Sequence, residues 1–113
     1  MPDDVLQIVV ATSGNVIRIT YKQWVHLTEN HDYMSGNLDK VLETITDPDQ
    51  IVRGSKGESL ALRGYEKTNI TRKTAVVVYR DEADGFLITA FFTSKPQKVK
   101  QKGEIIWSRS QES

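Results

Sequence analysis

Lys73-Thr-Ala-Val-Val-Val-Tyr-Arg80, the turn Asp81-Glu-Ala-Asp-Gly85 and Phe86-Leu-Ile-Thr-Ala-Phe-Phe-Thr93 decide how this chain folds. The first stretch is dense in β-branched residues and lacks a polar face, which predicts a central strand buried on both sides. The acidic, glycine-terminated turn sends the chain back as a second strand. Upstream, Gln50-Ile-Val-Arg53 and Ser59-Leu-Ala-Leu-Arg-Gly-Tyr65 read as strands joined by the turn Gly54-Ser-Lys-Gly57. Downstream lies a polar, Lys-rich connector over about residues 94–103 around Pro96, then a last short strand Glu104-Ile-Ile-Trp107 that packs its Trp.

The N-terminal half reads differently. Val5–Ala11 and Val16–Thr20, separated by Thr12-Ser-Gly-Asn15, form a hairpin. Thr20 stands where a helix N-cap belongs, with Gln23 three residues on, predicting a helix over Tyr21–Asn30. Asn37 caps a second helix with Leu38, Val41, Leu42 and Ile45 at helical spacing, and Asp47-Pro48-Asp49 stops it. Helices grouped early and strands grouped late predict an α+β fold on an antiparallel sheet.

The 113 residues predict one domain over 1–113. The absence of cysteine excludes disulfides and thiolate metal sites. No apolar run approaches the roughly 18 residues that span a bilayer. The opening Met1-Pro-Asp-Asp4 lacks a secretory pattern, so a cytoplasmic protein with no membrane partner is expected. Net charge is zero but unevenly spread. Residues 1–62 carry five Lys/Arg against nine Asp/Glu, and residues 63–113 carry ten against six. Basic residues cluster at Arg63, Lys67, Arg72, Lys73 and Arg80, and at Lys95, Lys98, Lys100 and Lys102. Such a face can bind phosphate on a neutral protein, or simply be solvated and blunt strand edges.

The two histidines, His26 and His31, share one short segment. Imidazole is the side chain best suited to moving protons near neutral pH. At 100° per residue His31 shares a face with Trp24, Leu27 and Thr28, and His26 lies about 140° away. A helix regular through His31 cannot aim both rings at one cleft, whereas a helix ending at Asn30 would re-aim His31. A satisfied core or capping role competes with a catalytic one for each. Neither has partners at ligand spacing, so no metal and no cofactor are expected. Thr89 interrupts an apolar strand, either as an ordinary strand residue or as a phosphate-binding hydroxyl, with Thr93 on the same side. Arg63 and Tyr65 share a strand face and suit phosphate contact and base stacking, and Trp107 is a further stacking candidate. No nucleotide-binding loop, nucleophile elbow or paired catalytic carboxylates occur.

Taken in order, Val16-Ile-Arg-Ile-Thr-x-x-x-Trp24-x-His26, His31, Glu43-Thr-Ile-x-Asp-Pro48-Asp49-x-Ile51-Val, the valine strand, Leu87-Ile-Thr-Ala-Phe-Phe-Thr93 and Lys102-Gly-Glu-Ile-Ile-Trp107 resemble a bacterial family. This is the PBECR-type group of the barnase–EndoU–colicin–RelE-like (BECR) ribonuclease fold. The resemblance covers about residues 16–107. It implies two N-terminal helices packed on a curved antiparallel sheet of about four strands, here preceded by the short hairpin. It implies metal-independent RNA cleavage giving a 2′,3′-cyclic phosphate, often by the toxin of a toxin–antitoxin pair, with RNA and a cognate antitoxin as partners. The site residues it implies are His26, His31, Arg63 (or Lys67) and Thr89. Tyr65, Lys67, Thr93, Lys98 and Trp107 are the candidates for holding substrate. One departure is that relatives commonly read His-Pro-Glu-Met where this chain has His31-Asp-Tyr-Met34. The competing expectation is a non-catalytic RNA- or protein-binding module on a degenerate nuclease fold.

Overall fold

The valine strand is where the chain is most deeply buried: Ala75, Val76, Val77 and Tyr79 are all inaccessible to solvent. In the computed structural model, which describes residues 4–109, it is one of seven strands of a single sheet. In chain order these are β1 (Val5–Val10), β2 (Val16–Thr20), β3 (Gln50–Arg53), β4 (Ser59–Tyr65), β5 (Lys73–Arg80), β6 (Gly85–Thr93) and β7 (Glu104–Ser108). Three helices accompany them: α1 (Tyr21–Asn30), α2 (Leu38–Thr46) and α3 (Pro96–Lys100), with a 3₁₀ turn at Asp32–Met34. No helix among the described residues is long and apolar enough to cross a membrane.

The strand order is β1-β2-β6-β5-β4-β3-β7. This corrects the expected architecture of two helices on a four-stranded antiparallel sheet behind a separate hairpin. The sheet has seven strands and is mixed, because β2 pairs with β6 in parallel through Ile17–Gly85 and Arg18–Phe86. Gly85 makes this approach possible. A Cβ there would stand 2.5 Å from Ile17 Cδ1 and 2.9 Å from the Val16 carbonyl oxygen, closer than real contacts allow. The second correction is α3, which forms inside the expected connector: Pro96 opens it, and Val99, 5% exposed, anchors it.

Two apolar layers result. On one face α1 and α2 bury Leu27, Val41 and Ile45 against Ile17, Ile19, Ala61, Ala75, Val77 and Leu87. On the other, α3 lays Val99 on Val52, Leu60, Leu62 and Val76, with Val78 and Phe91 partly buried beside them. The N-cap of α1 forms as its sequence requires: the Thr20 side chain accepts from Gln23 N at 3.1 Å. Beyond Phe86, β2 leaves β6 and α1 runs beside the vacated edge, where the Gln23 amide donates to the Ile88 carbonyl.

Candidate functional site

The two sheet faces separate the expected site residues. Along β6, Thr89, Phe91 and Thr93 lie opposite Val78, Val76 and Thr74 of β5 and share the α3-side face. Arg63 and Tyr65 of β4 sit in register with Ala75 and Lys73, on the face that carries α1 and α2. Thr89 and Arg63 therefore cannot act on one phosphate.

His31 reaches the edge of β6 because α1 ends at Asn30. His31 leaves helical geometry (φ −135°, ψ 74°), as a helix stop at Asn30 requires. Its ring comes to rest at the rim of β6, 5.9 Å from the Phe91 ring and 5.8 Å from the Tyr33 ring, centroid to centroid. The Tyr33 hydroxyl lies 3.3 Å from His31 Nδ1 and accepts from Phe92 N at 3.4 Å. The Tyr33 ring is in turn stacked on Phe92 at 5.6 Å. One nitrogen of the imidazole is thus engaged by a hydroxyl that the strand itself holds, which fixes the ring.

His26 does not join it. It is exposed on the outer side of α1, in a shallow concavity with Tyr21, Lys22, Val25 and Glu29. Trp107, on β7 at the far edge of the sheet, packs toward the helix-side core opposite Ile51. Lys67 is exposed in the loop between β4 and β5, and Lys98 is exposed on α3.

Arg63 and Tyr65 are occupied by structure. Arg63 Nη1 donates to the Asp47 carbonyl at 2.6 Å and lies 3.2 Å from Asp47 Oδ2, and its Nε is 3.5 Å from Glu43 Oε1. Tyr65 donates its hydroxyl to Glu43 Oε1 at 2.6 Å. Burial first, and then this carboxylate, push the Tyr65 phenol up to about 12. Both residues clamp the C-terminal end of α2 to β4. Arg109 adds to the clamp, reaching Asp47 Oδ1 at 2.9 Å and Asp49 Oδ1 at 3.3 Å, and these carboxylates raise its already high pKa.

Of the nine expected site residues, the structure places Thr89 and Thr93 on the α3-side face, His31 at its rim beside Phe91, and Lys98 exposed on α3. It adds Phe91 and Tyr33, which sequence reasoning missed. Phe91 was within reach, since the alternation that pairs Thr89 with Thr93 places residue 91 between them. Tyr33 had no such signal, because its contact spans 59 residues of chain. The Thr93 hydroxyl accepts from Lys95 N at 3.0 Å and keeps its own hydrogen to donate. Among the described residues every ion pair uses Arg63, Arg72 or Arg109, so the lysines of this region have no carboxylate partner.

No protein-family model, no curated protein and no solved structure matches this chain.

Proposed function

We propose that the α3-side face around His31 is the active surface of an endoribonuclease. The observation that supports this most is the single imidazole fixed between Tyr33 and Phe91 at the rim of a face bearing two hydroxyls and free lysines. With Nδ1 donating to the Tyr33 oxygen, Nε2 carries the lone pair and serves as general base. It removes the ribose 2′ proton, and O2′ attacks the adjacent phosphorus. The P–O5′ bond breaks, the departing oxygen takes a proton from water, and a 2′,3′-cyclic phosphate remains. Thr89 and Lys98 stabilise the charge that builds on the phosphorane oxygens. Phe91, partly exposed, offers a ring for base stacking. Arg63 and His26 have no part in this chemistry.

The second reading is a non-catalytic RNA-binding face. It draws support from the loss of one histidine and the only expected arginine from the site, which leaves no second side-chain acid for the leaving oxygen. One experiment separates the two. End-labelled RNA and the same strand carrying 2′-O-methyl riboses are incubated with the protein in EDTA. Cleavage of the RNA alone, with cyclic-phosphate ends, is expected. Binding of both strands without any cleavage would establish the second reading.

A further inference from the structure

The first strand of the chain is also an edge of the sheet, and among the described residues nothing covers it. β1 ends the strand order and pairs only with β2. Its run Gln7-Ile-Val-Val10 carries no charged residue and no proline, the devices that usually blunt an edge. A register shift lies at its N-terminal end, between Val5 and Gln7, and leaves this run regular. The opposite edge differs: β7 opens on Glu104 and breaks register in its middle, against Ile51 and Val52.

Ala11 N donates to the Asn15 carbonyl at 2.9 Å, at the mouth of the β1–β2 hairpin. Bonding alternates along an antiparallel ladder, so Val9 and Gln7 also turn their N–H and C=O toward β2. Ile8 and Val10 turn theirs outward. Their side chains are 60% and 53% exposed. Ile17 and Ile19 pack under the helices, so Ile8, Val10, Val16, Arg18 and Phe86, in register with one another, share the opposite face. On the helix side Leu6 and Val9 are only partly buried, so α1 and α2 stop short of covering the edge.

The geometry points to a second copy of this chain as the occupant of the edge, the two β1 strands pairing antiparallel about a two-fold axis at Val9. Within the regular run, one register gives every outward-facing residue an outward-facing partner: Ile8 of each copy opposite Val10 of the other. Val9 then meets its own equivalent on the axis. The edge is self-complementary in charge as well, since no charged side chain lies in the run on either copy. The two Arg18 side chains stand three strand spacings apart, at least about 14 Å, beyond the screening length at physiological salt. Ile8 packs on Val10 twice, and the apolar row continues to Val16 in each copy. The paired run is short, which puts the interface in the small, reversible class. The axis joins the two sheets into one, with both α3-side faces on the same side and the two β6 strands about 24 Å apart. The pairing stands apart from the ribonuclease reading.

The test is sedimentation velocity of the intact chain over a wide range of concentration, with cysteine crosslinking as its second arm. Mass is expected to rise with concentration from 12.8 kDa toward twice that. Ile8→Lys and Val10→Lys together should raise the dissociation constant at least tenfold while circular dichroism shows the monomer still folded, because both side chains are exposed. The chain has no cysteine, so one introduced thiol reports one position. Val9→Cys should close a disulfide across the axis under mild oxidation, since a non-hydrogen-bonded pair brings the Cα atoms to about 4.5 Å. Gln7→Cys should not, its two copies lying about 14 Å apart along the strands. A monomer at every concentration, a dimer indifferent to the paired Lys substitutions, or a Gln7→Cys crosslink as fast as that of Val9→Cys would overturn the pairing.

Discussion

Replacing Arg63 by Ala should lower stability and leave RNA cleavage intact, the opposite of what a phosphate-binding arginine would do. The guanidinium makes one short bond to the Asp47 carbonyl, at 2.6 Å, and faces two carboxylates at 3.2 and 3.5 Å. A hydrogen bond involving a charged group contributes about 1.5–3 kcal/mol. The carboxylates of Glu43 and Asp47 are 48% and 53% exposed, so solvent reduces the ion-pair contribution toward the range of about 0–1 kcal/mol found at surfaces. Asp47 keeps Arg109 in the variant, which limits the loss further. The net cost is about 1–2 kcal/mol, or a fall in melting temperature of about 4–8 °C for a chain of this size. Urea denaturation and a cleavage time course on the same preparation measure both quantities. Cleavage reduced a hundredfold at unchanged stability would refute the reasoning and place Arg63 on the substrate.

Other expectations follow from the same contacts. His26→Ala should change neither cleavage nor stability by more than about 0.5 kcal/mol, since the ring is exposed; chemical denaturation and the cleavage rate check this. The Tyr65 phenol is raised from 10 in the unfolded chain to about 12 in the fold, so its contribution to stability is complete below pH 10 and is lost as pH rises toward 12. Alkaline melting curves of Tyr65→Phe should therefore fall less steeply across that window than those of the parent. Gly103→Ala should be strongly destabilising, by about 1–3 kcal/mol or more in urea, because a Cβ there would collide with the Arg53 carbonyl oxygen and push β7 off β3.

The elements themselves were legible because each is written locally. The Thr20–Gln23 cap, the periodic Leu38, Val41 and Ile45, and the β-branched run of β5 all specify their structure within a few residues. The sheet was not, because its decisive pairing joins Ile17 to Gly85, and nothing near either residue announces the other. Gly85 read as a turn residue when its real demand is close approach of another strand. Helix α3 was hidden by its polar composition, since a single buried side chain, Val99, holds it down. The site followed the same division. The helix stop that frees His31 was readable from Asn30, and the shared side of Thr89 and Thr93 from strand alternation. That Arg63 and Tyr65 turn away to Glu43 and Asp47 depends on how β4 meets α2, a tertiary fact.

The central claim, that His31 is a general base on an RNA-cleaving face, is tested most directly by comparing cleavage by the parent protein and by His31→Ala in EDTA, with melting temperatures measured on both. The expected result is cyclic-phosphate ends from the parent and a loss of roughly 10²–10⁴-fold in the variant, the range of general-base catalysis, at an unchanged melting temperature. Equal cleavage by the two proteins, or a loss that merely tracks unfolding of the variant, would contradict it.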